Sequence, residues 1–538
     1  MKQSHPQIPI IPAAEGISLL RLKILVLVCG AVLMSLEMIG SRIISPYFGN
    51  SIYVWGSLIS IVLGALSLGY YIGGRLVDKH PSPRLLGAII ATAGVMLLVL
   101  RYVAPWVCET IWHLQLGPKF GTLASCTVLF FVPGVLLGTV SPFAVRLAAR
   151  NVTDMGKTAG ILYALSTLGS ILGVLVTSFV LIDMMGTSAV VLSLGIVLIS
   201  TGVLASLTIS MPAAVSFVLV PISIIFTPAP PRGVIDPDYN IIFETDSPYQ
   251  HIIVTEANVI GPDRRTRLRR NLQFDQYIES AVYIDEPGDP IEAATSYTDV
   301  MHMPIILNPD IKTVLAIGGG GGTVPREYHD HYGCNVQIVE IDPKVVKAAY
   351  DYFFLVPGER MKVTVEDGRM FLKLNKMKYD VIMIDAFSGG GQIPFHLTTK
   401  EFFTEVMDHL TPKTGMVAMN IISSLDDTSL YMAIRRTMAE AGIKQIYVFP
   451  RYRYRAGKPF FPKGSGNIIV VGTTADVRLP KSEIVRRVDA SPWKDMIKVK
   501  DLPDIVRTYW VHDEQLDDLT KAMILTDDYA PVELMASE

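Results

Sequence analysis

Apolar residues run in long blocks through the first 226 positions and in short alternating or continuous runs afterwards. The blocks lie near 18–40, 52–74, 86–105, 122–147, 157–182, 187–208 and 212–226. Most can cross about 30 Å of hydrocarbon at 1.5 Å per helical residue, so the pattern predicts about seven transmembrane helices over residues 1–228. The last block is short and holds Pro212 and Pro221. The first is too long for a signal-peptide core and more spans follow it, which predicts a retained helix.

The segment Thr227-Pro-Ala-Pro-Pro-Arg232 reads as a linker. After it, the runs Asn240–Glu244, Gln250–Thr255 and Leu272–Ile278 predict a small antiparallel β subdomain within residues 229–292. From Ala293 onward, strands near 313–317, 335–341, 362–365, 380–385 and 415–421 alternate with helical patterns, which predicts a doubly wound sheet over 293–538. The expected fold is therefore an α-helical membrane bundle fused to an α/β Rossmann-like domain with a small N-terminal antiparallel β subdomain.

Composition sharpens this division. Hydrophobic residues make up 50% of the chain and mean hydropathy is +0.39, yet the charged residues fall mostly after residue 230. A formal net charge of −3 gives no general basis for nucleic-acid binding. Arg264, Arg265, Arg267, Arg269 and Arg270 form one local basic cluster, which suits either an anionic membrane lipid or a solvated hairpin tip. In the N-terminal half, Arg75, Lys79 and Arg84 in one short loop, with Arg146, Arg150 and Lys157 in another, are expected to face the cytoplasm together with the N-terminus. Seven spans would then put the C-terminal domain outside; the expectation adopted is a multi-pass membrane protein with a cytoplasmic C-terminal domain. Glu37 and Arg42, near the end of the first span, form either a structural pair with Arg42 snorkelling to water or a polar site. Cys29, Cys108, Cys126 and Cys334 show no paired spacing and the ten histidines no HExxH pattern, so neither a disulfide framework nor a metal is expected.

The chemistry concentrates in Ile317-Gly-Gly-Gly-Gly-Gly-Thr-Val-Pro-Arg-Glu327. An apolar strand, Thr313–Ile317, leads into glycines that let backbone approach a ligand where a Cβ would collide. A second apolar strand ends in Glu340, where an acid can hydrogen-bond a ribose diol. At the next strand end, Asp367 followed by Gly368 can accept from an adenine amino group, and the fourth strand ends in Asp385. Either of these last two acids could instead cap the helix that follows it.

Taken in order, Gln250 in Ser247-Pro-Tyr-Gln-His-Ile, Tyr297 in Tyr-Thr-Asp-Val-Met, the glycine loop, Val339-Glu-Ile-Asp342, Glu366-Asp-Gly368 and Asp380-Val-Ile-Met-Ile-Asp385 resemble the spermidine synthase family over roughly residues 240–475. With the apolar half and Leu525-Thr-Asp-Asp-Tyr-Ala-Pro-Val-Glu533, the chain resembles the bacterial and archaeal members fused to a multispan domain. The resemblance implies that Gln250, Gly318, Gly319, Gly320, Glu340, Asp367 and Gly368 hold the adenosyl part of a sulfonium nucleoside. It places Tyr297 near the acceptor side and Asp385 at the reacting centre. It implies no cofactor beyond the substrate, S-adenosylmethionine or its decarboxylated form, with methylthioadenosine as product, and a possible homodimer.

Three departures from the family pattern bear on activity. Gly321 stands where relatives hold the aminopropyl amine with an aspartate, Thr298 where a histidine or glutamine follows the tyrosine, and Ser388 where a second aspartate deprotonates the attacking amine. An ammonium has no lone pair, so alkyl transfer to it cannot begin without a base. The expectation drawn is that the enzyme cleaves the sulfonium bond of S-adenosylmethionine by intramolecular cyclisation, the substrate's own carboxylate attacking its γ-carbon to close homoserine lactone. The alternatives are aminopropyl transfer from decarboxylated S-adenosylmethionine to putrescine, and a non-catalytic nucleoside sensor controlling a transport bundle.

Overall fold

A computed structural model describes residues 17–48, 52–149, 155–206, 238–261, 265–275, 277–284, 293–295, 297–387, 391–424, 430–450, 453–455, 458–460, 466–491, 519, 522–532 and 535. The chain divides into two compact units, one comprising Met1–Ile235 with Thr245–His251, the other Asp236–Glu244 with Ile252–Glu538.

The first unit is helical: α1 Leu19–Phe48, α2 Ile52–Lys79, α3 Pro83–His113, α4 Gly117–Gly138, α5 Val140–Ala148, α6 Met155–Val176 and α7 Ile182–Ser206. Six helical segments among the described residues are long and apolar enough to cross a membrane, α4 and α5 together making one of them. The seventh block, 212–226, and the linker Thr227–Arg232 lie outside the described residues. Small residues let α1 and α6 touch through their backbones: a Cβ on Gly169 would stand 2.0 Å from the Leu27 carbonyl oxygen, and one on Gly173 2.2 Å from that of Ala31. Hydroxyls close the same seam, Thr177 donating to Ser35 at 2.8 Å and Ser35 to the Gly173 carbonyl at 3.2 Å.

Two readings of this half are corrected. Arg75 and Lys79, expected in a short loop, lie in the last two turns of α2, because lysine and arginine continue a helix readily where its end can reach water. Helix α1 continues through Pro46 to Phe48, so Glu37 and Arg42 lie inside it.

The second unit begins with a four-stranded antiparallel sheet in sequential order, β1 Asn240–Asp246, β2 His251–Ile260, β3 Thr266–Phe274 and β4 Tyr277–Tyr283. The run Leu272–Ile278, expected as one strand, is broken because Asp275 adopts a left-handed conformation, φ 54°, and turns the chain from β3 into β4. The basic cluster is engaged within this sheet. Arg267 stacks 4.0 Å from the Tyr283 ring centroid, Arg269 donates to the Tyr239 hydroxyl at 2.8 Å, and Arg270 pairs with Glu256 at 2.6 Å; Arg264 lies outside the described residues.

After α8 Met303–Leu307 comes β5 Thr313–Ile317, α9 Thr323–Asp330, β6 Asn335–Glu340, α10 Pro343–Tyr352, β7 Met361–Val365, α11 Gly368–Leu374, β8 Val381–Ile384, α12 Lys400–His409, β9 Met416–Ser423, α13 Leu430–Glu440 and β10 Gln445–Pro450. A small hairpin, β11 Arg453–Arg455 with β12 Lys458–Phe460, precedes β13 Gly466–Thr473 and α14 Lys481–Ala490. The seven-stranded sheet has the order β10-β13-β9-β8-β5-β6-β7, parallel from β9 to β7, with β13 and β10 antiparallel. Side chains alternate between two apolar layers: Val314, Ala316, Val336, Ile338 and Met383 in one, Leu315, Ile317, Val339, Ile382 and Ile384 in the other. Burial on both faces explains why these strands read as continuous apolar runs. The strand order reverses direction between β5 and β8, and ligands of such sheets bind at the carboxyl ends beside that point.

Candidate active site

The glycine loop leaves β5 at this reversal. Gly318, Gly320 and Gly322 have φ of 91°, 48° and 69°, a backbone region that side chains disfavour. A Cβ on Gly318 would stand 2.2 Å from the Asp385 carbonyl oxygen, so the loops after β5 and β8 are in backbone contact. Main-chain bonds fix them further, from Asp385 N–H to the Ile317 carbonyl and from Gly318 N–H to that of Val339, both at 2.9 Å.

Glu340 organises this loop. Its Oε2 accepts from Gly319 N–H at 2.8 Å and Gly320 N–H at 3.3 Å, and its Oε1 from Asp342 N–H at 3.0 Å. Burial raises its carboxyl against the pull of those donors. Asp342 and Asp367 both cap helices, accepting from Lys344 N–H and Met370 N–H at 2.9 Å. Asp367 also lies 3.4 Å from His396 Nε2, and that contact leads the effects that hold its carboxyl below the usual range. Gly368 has a packing reason, since a Cβ there would stand 2.3 Å from Cγ2 of Ile317. Gln250 sits in the β1–β2 turn, buried, its main chain tied to the hydroxyl of Ser247. That turn belongs to the segment grouped with the helical unit.

Asp385 and Tyr297 come together. The Tyr297 hydroxyl lies 3.1 Å from Asp385 Oδ2 and 3.2 Å from the Glu279 carbonyl oxygen, and can donate to either. Asp385 Oδ1 accepts from Asn420 Nδ2 at 2.9 Å, and Asn420 Oδ1 from Asn467 Nδ2 at 3.1 Å. The carboxylate is thus oriented from both sides. Burial raises it, offset in part by Asn420 and Tyr297, which favours proton acceptance near neutral pH. Ser388 lies outside the described residues. Thr298 is buried and donates to the Thr295 carbonyl at 2.6 Å.

The structure adds a carboxyl that the pattern did not flag. In the β3–β4 pairing Leu272 faces Ser280 and Gln273 faces Ile278, so Glu279 is the extra residue of a β-bulge. Burial, with Asp385, Asp275 and Glu340 in electrostatic reach, pushes its carboxyl up to about 8. Among the described residues no Lys or Arg pairs with Glu279, Asp385 or Glu340. The neighbouring Ser280 accepts from Gly321 N–H at 2.9 Å. The space beside Gly321 is therefore occupied: a Cβ there would lie 3.0 Å from both Phe353 Cδ1 and Ser280 Cβ. Replacing Gly321 with Asp is expected to destabilise the unit by about 1–3 kcal/mol through overpacking. Thermal melting of Gly321→Asp beside Gly321→Ala checks this, the aspartate melting lower.

Residues 295–463 match the spermine/spermidine synthase domain family. The chain is similar to the polyamine aminopropyltransferase of Vibrio vulnificus, 28% identical over 305 residues that cover 55% of this chain and 91% of that one. It is also similar to the enzyme of that name from Alkaliphilus metalliredigens, 34% identical over 173 residues, 31% of this chain and 58% of the relative. A crystal structure of a probable spermidine synthase from Corynebacterium glutamicum overlaps 47% of this chain and 88% of its own, at 22% identity and TM-score 0.37.

Proposed function

The chain is a homologue of polyamine aminopropyltransferases that carries a spermine/spermidine synthase domain, and from that premise we propose that it transfers an aminopropyl group from decarboxylated S-adenosylmethionine to an amine. The attacking nitrogen forms a bond to the carbon beside the sulfonium, the C–S bond breaks, and its electron pair returns to sulfur as neutral methylthioadenosine. Asp385 takes the proton that the amine gives up, and Tyr297 with Asn420 holds its two oxygens in place.

The observation that carries this reading is Glu279. Its carboxyl holds a proton up to about pH 8 in the free site, and an ammonium bound beside it favours the ionised form, so with Asp385 and Glu340 it favours a sulfonium that also bears an ammonium. The same charge opposes the free carboxylate of S-adenosylmethionine. Glu279 thereby replaces, from β4, the charge that Gly321 lacks. Intramolecular cyclisation of S-adenosylmethionine to homoserine lactone is the second reading, supported by the space that Ser280 and Phe353 fill at Gly321.

Incubation with each sulfonium, with and without putrescine, separates the two. Amine-dependent release of methylthioadenosine from the decarboxylated substrate is expected. Release from S-adenosylmethionine alone, without amine, would favour lactone closure instead.

A further inference from the structure

The helical unit contains a cleft that the proposed reaction does not use, lined by Ile43 and Tyr47 of α1, Arg101 of α3, and Thr187, Ser188 and Val191 of α7. Its walls are apolar apart from one guanidinium and three hydroxyls. Arg101 makes no ion pair among the described residues, and its Nε is buried without a hydrogen-bond partner; its guanidinium carbon lies 5.8 Å from the Tyr102 ring centroid. Thr187 is 1% exposed, and its hydroxyl is likewise buried without a partner.

Helix α7 is interrupted here, Gly186 having φ 72° and ψ 162°. The backbone N–H of Thr187 donates to Asp246 Oδ2 at 2.6 Å, while Oδ1 of that acid lies 3.0 Å from His251 Nδ1, so both oxygens of that carboxylate are engaged. Tyr47 is the penultimate residue of α1, and Thr187 stands close to the start of the span Met184–Ser206. On α3, Trp106 follows Arg101 by little more than a turn and is 68% exposed. Helix ends and an exposed tryptophan mark the depth of lipid headgroups. A charge at that depth is costly unless an anion meets it, and hydrocarbon walls suit a ligand with an apolar body.

We propose that this cleft binds the phosphate group of an anionic phospholipid. The Arg101 guanidinium and the Thr187 hydroxyl meet the phosphate oxygens, and an acyl chain lies along Ile43 and Val191. The inference rests on reading the six apolar helices as membrane spans, which is tested separately by whether the full chain needs detergent for extraction.

The full-length protein in a neutral detergent would be melted with added phosphatidylglycerol, phosphatidylcholine or inorganic phosphate, and lipid adducts counted by native mass spectrometry. Phosphatidylglycerol is expected to raise the melting temperature and leave a bound adduct. Arg101→Gln should weaken its apparent affinity tenfold or more, and Thr187→Val by a smaller factor. Should Arg101→Gln fail to fold, Arg101→Lys keeps the charge, loses the planar fork, and is expected to bind more weakly than the parent. Equal stabilisation by inorganic phosphate would overturn a lipid occupant. So would phosphatidylglycerol binding that Arg101→Gln and Arg101→Lys leave unchanged, or no shift in the parent protein.

Discussion

Asp385→Asn is expected to lower kcat for amine-dependent methylthioadenosine release by about 10²–10⁴-fold, the range typical of a positioned general base. An asparagine keeps the size of the side chain and can still bond to Tyr297 and Asn420, so the fold should be retained. What it cannot do is accept a proton. The variant should therefore also lose the acid limb of the pH–rate profile, because that limb reports Asp385 becoming protonated as pH falls. Burial raises this carboxyl, which moves the limb above the range of an ordinary aspartate. A variant that keeps more than a tenth of parent kcat, with its acid limb intact, would remove Asp385 from the reaction.

Glu279→Gln is expected to separate stability from binding. The Glu279 carboxyl is raised from an ordinary value of 4.5 to about 8 in the folded protein. Below the unfolded value both states hold the proton, and between 4.5 and about 8 the unfolded chain releases it while the folded one retains it. The parent protein therefore loses stability as pH rises through that window. The glutamine variant has no such loss, so the two should melt alike near pH 5, and the variant should be more stable by about 1–3 kcal/mol at pH 8, less than full linkage gives because the side chain keeps partial contact with solvent. Binding should move the other way: above about pH 8, where Glu279 is ionised, KM for the decarboxylated sulfonium should rise tenfold or more, with a smaller change in kcat. A KM unaffected by Glu279→Gln would show that the charge at β4 does not select the substrate.

The parts legible in the sequence are those set by local pattern. Hydropathy located the six long apolar helices, and the strand-to-loop junctions at Ile317, Glu340 and Ile384 followed from apolar runs that end in glycine or an acid. The structure brings Asp385 and Tyr297 within 3.1 Å of each other, a juxtaposition of residues 88 apart in the chain. Glu279 was not legible, because nothing in Gln-Tyr-Ile-Glu-Ser distinguishes a bulged glutamate from an outward-facing one until β3 fixes the register. Asn420 and Asn467 meet Asp385 only through the β9–β13 pairing, a contact between residues distant in sequence. The antiparallel edge of β13 and β10 was missed for the same reason.

The bulge in β4 also changes what counts as a neutral edit. A strand position usually tolerates substitution, whereas here the number of residues carries information. Removing one residue between Tyr277 and Ser280 would give β3 and β4 an unbroken ladder and a better-formed hairpin. It would also withdraw the Glu279 carboxyl from Asp385. A single-codon deletion that improves the sheet is thus predicted to silence the site.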